Sequence, residues 1–486
     1  MVKSSDIPLL TLLQAEEERK YKEAEELRLE QQDRIRTRQL RIVTASYCCC
    51  YAALGLAAGA LGPTIDHLAE TTGTDLNSIS DTFTARGVGW VLGSVIAGKL
   101  YEKFRGHRIL AIALIITSIS MLLTPFIPNI WVLLVLTAIA AAFMSWIEVG
   151  VNTLTLWIWK DKVAPYMQLL HFAFGAGLGS SPAIFGTVTK SLPFESQAIV
   201  FYVILAILIA ITALWPLKLI SPPIEKDFSD AHAHMAHGDM LENTQESQEQ
   251  QQQNAGTVFY AEEIALEKMR YEQQQKLRFW IIVPLVAAYL FMYGGLENAF
   301  GSWAAKYAKE VYDMEESEAS YLDGVFWAAL TVGRLISVPL STRLSARILL
   351  LGDMLGCIFA LIIAILFEHF KWSALLWICT VIYGACMASI FATAFTIPVE
   401  LRLKGSSKGS SAFIVASGIG DMALPVVAGK AITFLGPTAL LWLSLGVFCF
   451  CLAVYMVLFT YGLSTMEKKL NDLELREIES LNDYWN

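Results

Sequence analysis

The chain has 486 residues, of which 55% are hydrophobic and 17% are charged, and its formal net charge is −9 at pH 7. A soluble domain is nearer a quarter charged, so these proportions exclude an ordinary soluble protein. The negative charge is spread over tails and loops and says little about partners. The lipid bilayer is therefore the first expected partner, and no nucleic acid is expected.

Apolar stretches of membrane-spanning length follow one another along the chain. A spanning helix needs about 20 mostly apolar residues, and twelve such stretches occur, at 43–62, 78–100, 107–127, 130–159, 163–190, 196–217, 279–308, 320–343, 347–368, 372–400, 407–432 and 437–463. No short basic segment with an apolar core precedes them, so the first helix is expected to act as the insertion signal. These features predict an all-α membrane protein with twelve transmembrane helices.

The distribution of basic residues predicts the orientation. With the N-terminus in the cytosol, the inner connections hold Lys99, Lys103, Arg105, Arg108, Lys160, Lys162, Arg343, Arg347, Arg402, Lys404 and Lys408. Several outer connections are acidic instead, as at Asp66, Glu70 and Asp75. The excess of lysine and arginine on the inner side predicts that both termini are cytosolic.

The chain is predicted to consist of two six-helix bundles separated by a hydrophilic linker. The predicted segments are a tail 1–42, a bundle 43–217, a linker 218–278, a bundle 279–463 and a tail 464–486. An offset of 240 residues sets Gly55 on Gly295 and Gly93 on Gly333, which suggests a weak repeat. Repeats that enclose a binding site where they meet are a transporter design.

The linker has the composition of a mobile segment, with glutamine-rich low complexity at 245–253. Its histidines at His232, His234 and His237 could bind a transition metal. Because they lack thiolate neighbours and lie in a segment of this composition, we predict no metal site. No cofactor is expected either, apart from a coupling ion.

Polar side chains interrupt the apolar pattern in the fourth and fifth stretches. Glu148 and Asn152 are four residues apart, and Gln168 and His171 are three apart, so each pair shares one face of its helix. Polar groups inside membrane segments are costly and tend to mark a cavity or pathway. A buried structural hydrogen bond is the alternative for Glu148. Several polar groups on four helices favour the cavity.

The turn after the second stretch resembles the signature loop of the major facilitator superfamily. It reads Gly98-Lys-Leu-Tyr-Glu102-Lys103-Phe-Arg105-Gly-His-Arg108. It departs from the family pattern by having Glu102 in place of aspartate and Arg105 as an extra residue. A gating or structural role for Gly98, Glu102, Lys103 and Arg108 follows from this resemblance.

Four further motifs resemble the branch that contains sodium-dependent glucose transporters and bacterial fucose permease. They are Glu148-x-x-x-Asn152 with Trp157, Met167-Gln168-x-x-His171, Gly295-x-Glu297-x-x-x-Gly301-x-Trp303, and Gly418-x-Gly420-Asp421. The resemblance covers residues 43–463. It implies a secondary active transporter, not an enzyme, that binds a small polyhydroxylated solute at mid-membrane and works by alternating access.

The residues that would bind the solute are polar groups and two tryptophans. Acceptors and donors suited to hydroxyl groups are Glu148, Asn152, Gln168, His171, Glu297 and Asn298. Trp157 and Trp303 could supply flat apolar surfaces of the sort on which sugar rings stack. Together these residues predict a monosaccharide site.

Three carboxylates are candidates for ion coupling. A carboxylate in an apolar site can load and release a proton, and with nearby carbonyls it can hold sodium. Glu148, Glu297 and Asp421 are the candidates, and either H⁺ or Na⁺ fits them. Fucose permease also uses an acid in its first helix. This chain has no acid at 47–62, so that route for protons is in doubt.

The remaining membrane arginines are interpreted as structural. Arg334 lies near the predicted inner end of the eighth stretch, and with Arg343 it is expected to tie helix ends together. Arg86 lies deeper in the second stretch. It could reach a substrate carboxylate or pair with Asp81, and a salt-bridge gate is the milder interpretation.

Two alternatives stay open. The cargo could be an organic anion or amphipathic lipid, which a substrate-contacting Arg86 would favour. The chain could instead be a non-transporting sensor or scaffold that signals through its charged tails. A monomer is expected. The segment Asp6-Ile-Pro-Leu9-Leu10 resembles an acidic dileucine sorting signal, so the endosomal or lysosomal membrane and the plasma membrane are both candidate locations.

Overall fold

The predicted apolar stretches form long helices in the computed structural model, which describes residues 34–222, 251–401, 403 and 405–460. The tail 464–486, most of the tail 1–42 and the three linker histidines lie outside the described residues. By its contacts the chain divides into the units Met1–Ser46 and Tyr47–Asn486. The fold and site described below belong to the second unit.

The helices follow the predicted order. They are α1 Arg34–Ala58, α2 Ile65–Thr72, α3 Leu76–Ile79, α4 Asp81–Lys103, α5 Gly106–Leu123, α6 Ile130–Trp159, α7 Ala164–Ser191, α8 Phe194–Lys218, α9 Gln251–Tyr312, α10 Glu316–Leu340, α11 Ala346–Phe367, α12 Ser373–Met387, α13 Ile390–Glu400, α14 Ser407–Leu435 and α15 Ala439–Thr460. Among the described residues, eleven helices are long and apolar enough to cross a membrane, with α12 and α13 counted together as the span Ser373–Glu400.

The remaining predicted span is helix α4. It has 23 residues, which is long enough to cross a bilayer. Four glycines, Arg86 and Lys99 make it less apolar than the other spans. The length of this stretch therefore predicts a spanning helix, although its composition is less apolar than that of the other spans.

The main helix contacts lie both within each bundle and between the bundles. In the first bundle α4 packs on α6 and α5 packs on α8; in the second α9 packs on α14 and α10 packs on α12. The bundles meet where α4 contacts α14 and where α7 contacts α10 and α13. A cavity between the bundles is thus bordered by helices from both repeats.

Glycines allow the same close helix contact in each bundle. A Cβ on Gly177 of α7 would collide with the backbone of Ala52, and one on Gly55 would lie 2.7 Å from the nitrogen of Leu178. In the second bundle, Gly295 and Gly420 approach each other in the same way. Gly295 lies 240 residues after Gly55, and Gly420 lies 243 residues after Gly177. The two glycine contacts therefore match a 240-residue repeat to within three residues.

Gly177→Ala is expected to lower the free energy of unfolding by about 1–3 kcal/mol, because the added methyl group meets rigid backbone rather than a flexible side chain. Gly179→Ala is the matched control on the same helix, since a Cβ there meets nothing within 4 Å. Thermal unfolding of the two variants in detergent would compare them. Equal melting temperatures would contradict the role of Gly177 in close packing.

The span Ser373–Glu400 is interrupted between α12 and α13. The hydroxyl of Ser389, at the interruption, donates to Asp353 of α11. The backbone carbonyl of Ser389 accepts a hydrogen bond from Gln168 Nε2 at 3.2 Å. Side chains that bond backbone groups within a helix are a recognised cause of such interruptions, so the break follows from these polar contacts.

Candidate functional site

A cavity of about 840 Å³ lies between the two bundles. Its wall is formed by α4, α6 and α7 from the first bundle and by α9, α10 and α14 from the second, with contributions from α1 and α13. The volume is within the range of small-molecule sites. The polar and aromatic side chains in its wall include Tyr51, Arg86, Trp90, Glu148, His171, Glu297, Asn298, Trp327, Arg334, Ser417 and Asp421.

Five of these side chains carry formal charges. Glu148, Glu297 and Asp421 are acidic, and Arg86 and Arg334 are basic. The cavity therefore has a formal charge of −1 when all five are ionised. Charged groups inside membrane-spanning segments tend to mark a substrate or ion path.

Glu297 makes the most complete set of contacts. Arg334 Nη2 donates to Glu297 Oε1 at 3.1 Å, and the two side chains are 7% and 16% exposed. The hydroxyl of Tyr293 lies 2.7 Å from Glu297 Oε2. The same hydroxyl lies 2.7 Å from the carbonyl oxygen of Met387, at the end of α12. Glu297 is thus linked both to the cavity and to the interrupted span.

Glu148 receives hydrogen bonds from neutral groups. Tyr51 donates to Glu148 Oε1 at 3.2 Å, and Trp90 lines the same cavity. Asn152 lies behind them, fully buried, with Nδ2 donating to the Glu148 carbonyl at 2.9 Å. No ion pair involves Glu148 within the part of the chain that the structure describes. Its carboxylate is therefore available to a ligand.

The predicted pair on α7 is divided between two roles. His171 lines the cavity, with its ring edge-on to Tyr51 at 5.3 Å and 5.0 Å from the ring of Phe391. Gln168 lies outside the lining and donates to Thr393 Oγ1 at 2.9 Å as well as to Ser389. Gln168 thus joins the two bundles.

The structure does not bring the two predicted tryptophans to the cavity. Trp157 Nε1 donates to the carbonyl of Gly405 at 3.2 Å, and Trp303 Nε1 donates to the carbonyl of Pro425 at 2.9 Å. These backbone bonds hold both indoles outside the lining. Asn298 does line it, and its Nδ2 donates to the Asp421 carbonyl at 3.2 Å.

The two membrane arginines differ from the structural roles predicted for them. Arg334 does not join helix ends with Arg343, which is exposed. It lies six residues before the end of α10, or about 9 Å by helical rise. Helical side chains lean toward the N-terminus of their helix, which directs this guanidinium to mid-membrane. Arg86 donates to the Ala58 carbonyl at 2.9 Å and is not paired with Asp81 among the ion pairs of the described residues.

The bundles also meet at the end of the molecule that carries the predicted signature loop. Ser407 Oγ donates to the Gly98 carbonyl at 2.8 Å, and Ser411 Oγ donates to the Ser94 carbonyl at 2.6 Å. Lys408 Nζ lies 3.2 Å from Glu102 Oε1. This end is closed by contacts between α4 and α14, whereas the side chains of Lys103 and Arg108 are exposed.

Charge reversal at Glu102→Lys is expected to change the free energy of unfolding by less than about 1 kcal/mol, because Lys408 is 65% exposed and surface pairs contribute little. The double variant Glu102→Lys with Lys408→Glu should restore the wild-type melting temperature. Unfolding at low and high salt would measure both effects. A loss of several kcal/mol, unaffected by salt, would contradict this description of the contact.

The cavity residues that were not predicted from the sequence include Trp90 and Tyr51. Trp90 lies four residues after Arg86, and its ring centroid is 6.0 Å from the Arg86 guanidinium carbon. That spacing places both on one helical face, so the signal was present. Tyr51 lies in an apolar run with no polar neighbour to single it out.

The family model described as Major Facilitator Superfamily matches residues 47–406 of this chain. The chain belongs to the major facilitator superfamily. The resemblance inferred from the motifs is thereby confirmed, and so is the expectation that the chain is not an enzyme, because the family is one of transporters. Membership also confirms an integral, multi-pass membrane protein.

Individual proteins support the same assignment. The chain is 26% identical over 404 residues to sodium-dependent glucose transporter 1 of Danio rerio, covering 80% of this chain and 64% of that protein. The chain therefore spans less than two thirds of the length of that relative. It is 27% identical over 400 residues to sodium-dependent glucose transporter 1 of Homo sapiens, covering 79% and 72% of the two chains.

The crystal structure of the family member FucP in the outward conformation shares the fold. It superimposes with a TM-score of 0.63 at 17% identity, covering 86% of this chain and 98% of FucP. The predicted all-α fold is confirmed by this match.

Proposed function

We propose that the chain is a secondary active transporter that carries a small polyhydroxylated solute, a monosaccharide, coupled to H⁺ or Na⁺. The solute would bind in the cavity between the bundles and reach each side of the membrane in turn. The observation that carries this proposal is the charged, aromatic-lined cavity of about 840 Å³ bordered by both repeats.

The side chains of the cavity suit a ligand with several hydroxyl groups. Glu148 and Asn298 offer an acceptor and an amide, and the imidazole of His171 has Nε2 without a hydrogen-bond partner among the described residues. Trp90 and Trp327 supply aromatic surface within the lining, the role expected of Trp157 and Trp303. We assign solute binding to this set.

The names of relatives support the choice of cargo and drive. The two vertebrate relatives are named sodium-dependent glucose transporters. FucP is described as the fucose:proton symporter of E. coli. A monosaccharide and a cation are common to these descriptions.

The charge balance of the cavity supports ion coupling. Three carboxylates face two guanidinium groups, so one negative charge lacks a cationic counterpart. A proton or a sodium ion would neutralise it and lower the cost of holding the charge away from water. The candidate sites are Glu148, Glu297 and Asp421.

An organic anion is the second candidate cargo. Arg86 lines the cavity and donates to a backbone carbonyl, so its guanidinium could also receive a carboxylate. The excess of acidic over basic groups in the same cavity opposes an anion. The monosaccharide is therefore the primary proposal.

Uptake of labelled glucose and fucose into proteoliposomes, with sodium and proton gradients imposed separately, tests the proposal. We expect accumulation of one sugar above its external concentration under one gradient, and none in protein-free liposomes. Folded protein that takes up neither sugar but accumulates a labelled organic anion would replace the primary proposal with the second. Folded protein that takes up no solute would favour the sensor or scaffold.

A further inference from the structure

The hydroxyl of Tyr293 joins the cavity to the interruption between α12 and α13. It lies 2.7 Å from Glu297 Oε2 and 2.7 Å from the Met387 carbonyl oxygen. Met387 is the last residue of α12, and the last carbonyls of a helix have no partner within that helix. Because Tyr293 is fully buried, its single hydroxyl hydrogen is the donor for both of these contacts.

These contacts contain one hydrogen too few when Glu297 is ionised. A tyrosine hydroxyl donates one hydrogen bond, whereas an ionised carboxylate and a backbone carbonyl only accept. If Tyr293 donates to Glu297, the Met387 carbonyl is left with a short contact and no donor. If it donates to Met387, Glu297 Oε2 is left with a short contact and no donor. Either arrangement is unfavourable in a buried site.

A proton on Glu297 Oε2 removes this conflict. The carboxylic acid then donates to Tyr293, and Tyr293 donates to the Met387 carbonyl. Glu297 Oε1 still accepts from Arg334 at 3.1 Å. The O–H bond on Oε2 forms as one O–H bond of a hydronium ion in the cavity breaks, which leaves a water molecule. The Tyr293 hydrogen rotates from Oε2 to the Met387 oxygen.

The formal charges of the cavity balance when Glu297 is a neutral acid. The groups that face it from other helices are Arg334 of α10, Asp421 of α14, Glu148 of α6, Arg86 of α4, His171 of α7 and Tyr383 of α12. With Glu297 protonated, the two arginines balance Glu148 and Asp421. The cavity then has no net formal charge.

The break between α12 and α13 also contacts α7 of the first bundle. The Ser389 carbonyl accepts from Gln168 at 3.2 Å, and Thr393 Oγ1 accepts from the same amide at 2.9 Å. A shift of the chain between Met387 and Ser389 would therefore act on a contact that holds the bundles together.

We propose that Glu297 binds the transported proton and that Tyr293 transmits its presence to the break between α12 and α13. This inference rests on the proposed coupled transport and deepens it by naming the ion and its route. Tyr293 acts as a positioning residue.

Infrared difference spectroscopy between acid and alkaline pH, on the full chain in lipid nanodiscs without substrate, tests the proposal. We expect a carboxylic-acid C=O band at acid pH that is lost in Glu297→Gln. Tyr293→Phe should shift this band to higher frequency, because the acid loses its acceptor. Tyr289→Phe is the matched control: Tyr289 lies one turn earlier, is equally buried, and its hydroxyl has no hydrogen-bond partner among the described residues.

Two results would overturn the proposal. One is a band of unchanged intensity in Glu297→Gln, and the other is a band of unchanged frequency in Tyr293→Phe. Since Tyr293→Phe removes a single oxygen, it provides a test even if Glu297→Gln fails to fold. No sugar is present, so failure here is separate from failure of the uptake experiment.

Hydrogen exchange gives a readout at the break itself. In wild-type protein, amides at 385–393 should be better protected at acid than at alkaline pH after correction for intrinsic exchange rates. Tyr293→Phe should lose this difference, and Tyr289→Phe should keep it. Retention of the difference in Tyr293→Phe would overturn the transmitting role of the hydroxyl.

Discussion

Glu148→Gln is expected to reduce gradient-driven sugar uptake by roughly 100-fold, because a charged hydrogen-bond acceptor is replaced by a neutral amide. Glu148 lines the cavity, accepts from Tyr51 at 3.2 Å and forms no ion pair with any described residue. Its carboxylate is therefore free to accept from a solute hydroxyl. Initial uptake rates in proteoliposomes would measure the loss.

The control for this change is Glu195→Gln. Glu195 is exposed in the first turn of α8 and is not among the residues that line the cavity. It makes the same chemical change without altering the cavity, so uptake should remain at the wild-type rate. Uptake by Glu148→Gln at more than half the wild-type rate would remove Glu148 from the binding site.

Arg334→Gln is expected to lower the free energy of unfolding by about 3–5 kcal/mol, because it leaves Glu297 buried without its counter-charge. The two side chains are 3.1 Å apart and are 7% and 16% exposed. Water can therefore compensate for the missing charge only in part. Thermal unfolding in detergent at neutral pH would measure the effect.

The double variant Arg334→Gln with Glu297→Gln separates the charge from the packing. It replaces the buried ion pair by two neutral amides of similar size, so it should be more stable than Arg334→Gln alone. A double variant less stable than either single variant would show that the geometry of the pair, rather than the unpaired charge, determines stability.

Much of the fold could be predicted because span length and apolar composition are local properties. The limits of α6, predicted at 130–159, agree with the observed helix Ile130–Trp159. Composition alone was insufficient for α4, where the glycines that let the helix pack against Ala138 and Ala142 also lower its hydropathy. The interruption at Ser389 depends on contacts with Asp353 and Gln168, which are distant in sequence.

The part of the site that could be predicted from the sequence is its charged residues, because charged side chains in membrane spans are expected to face a cavity. Glu148, Glu297 and Asp421 face one cavity, as expected of carboxylates that must avoid lipid. The prediction for Arg334 used only the distance of the residue from the end of its helix. It did not consider the direction and length of the side chain. Trp157 was chosen for its chemistry, yet an indole N–H that finds a backbone acceptor is held wherever that acceptor lies.

The unequal number of acids and bases in the cavity has an electrical consequence for the transport cycle. Under the proposed ion coupling, an empty carrier with all three carboxylates and both guanidinium groups ionised would reorient with one net negative charge in its cavity. A carrier loaded with one cation would reorient with none. A full elementary charge crossing the membrane is worth about 2.3 kcal/mol per 100 mV. Membrane voltage should therefore act on the return of the empty carrier, and the turnover rate should depend on voltage even when sugar is saturating.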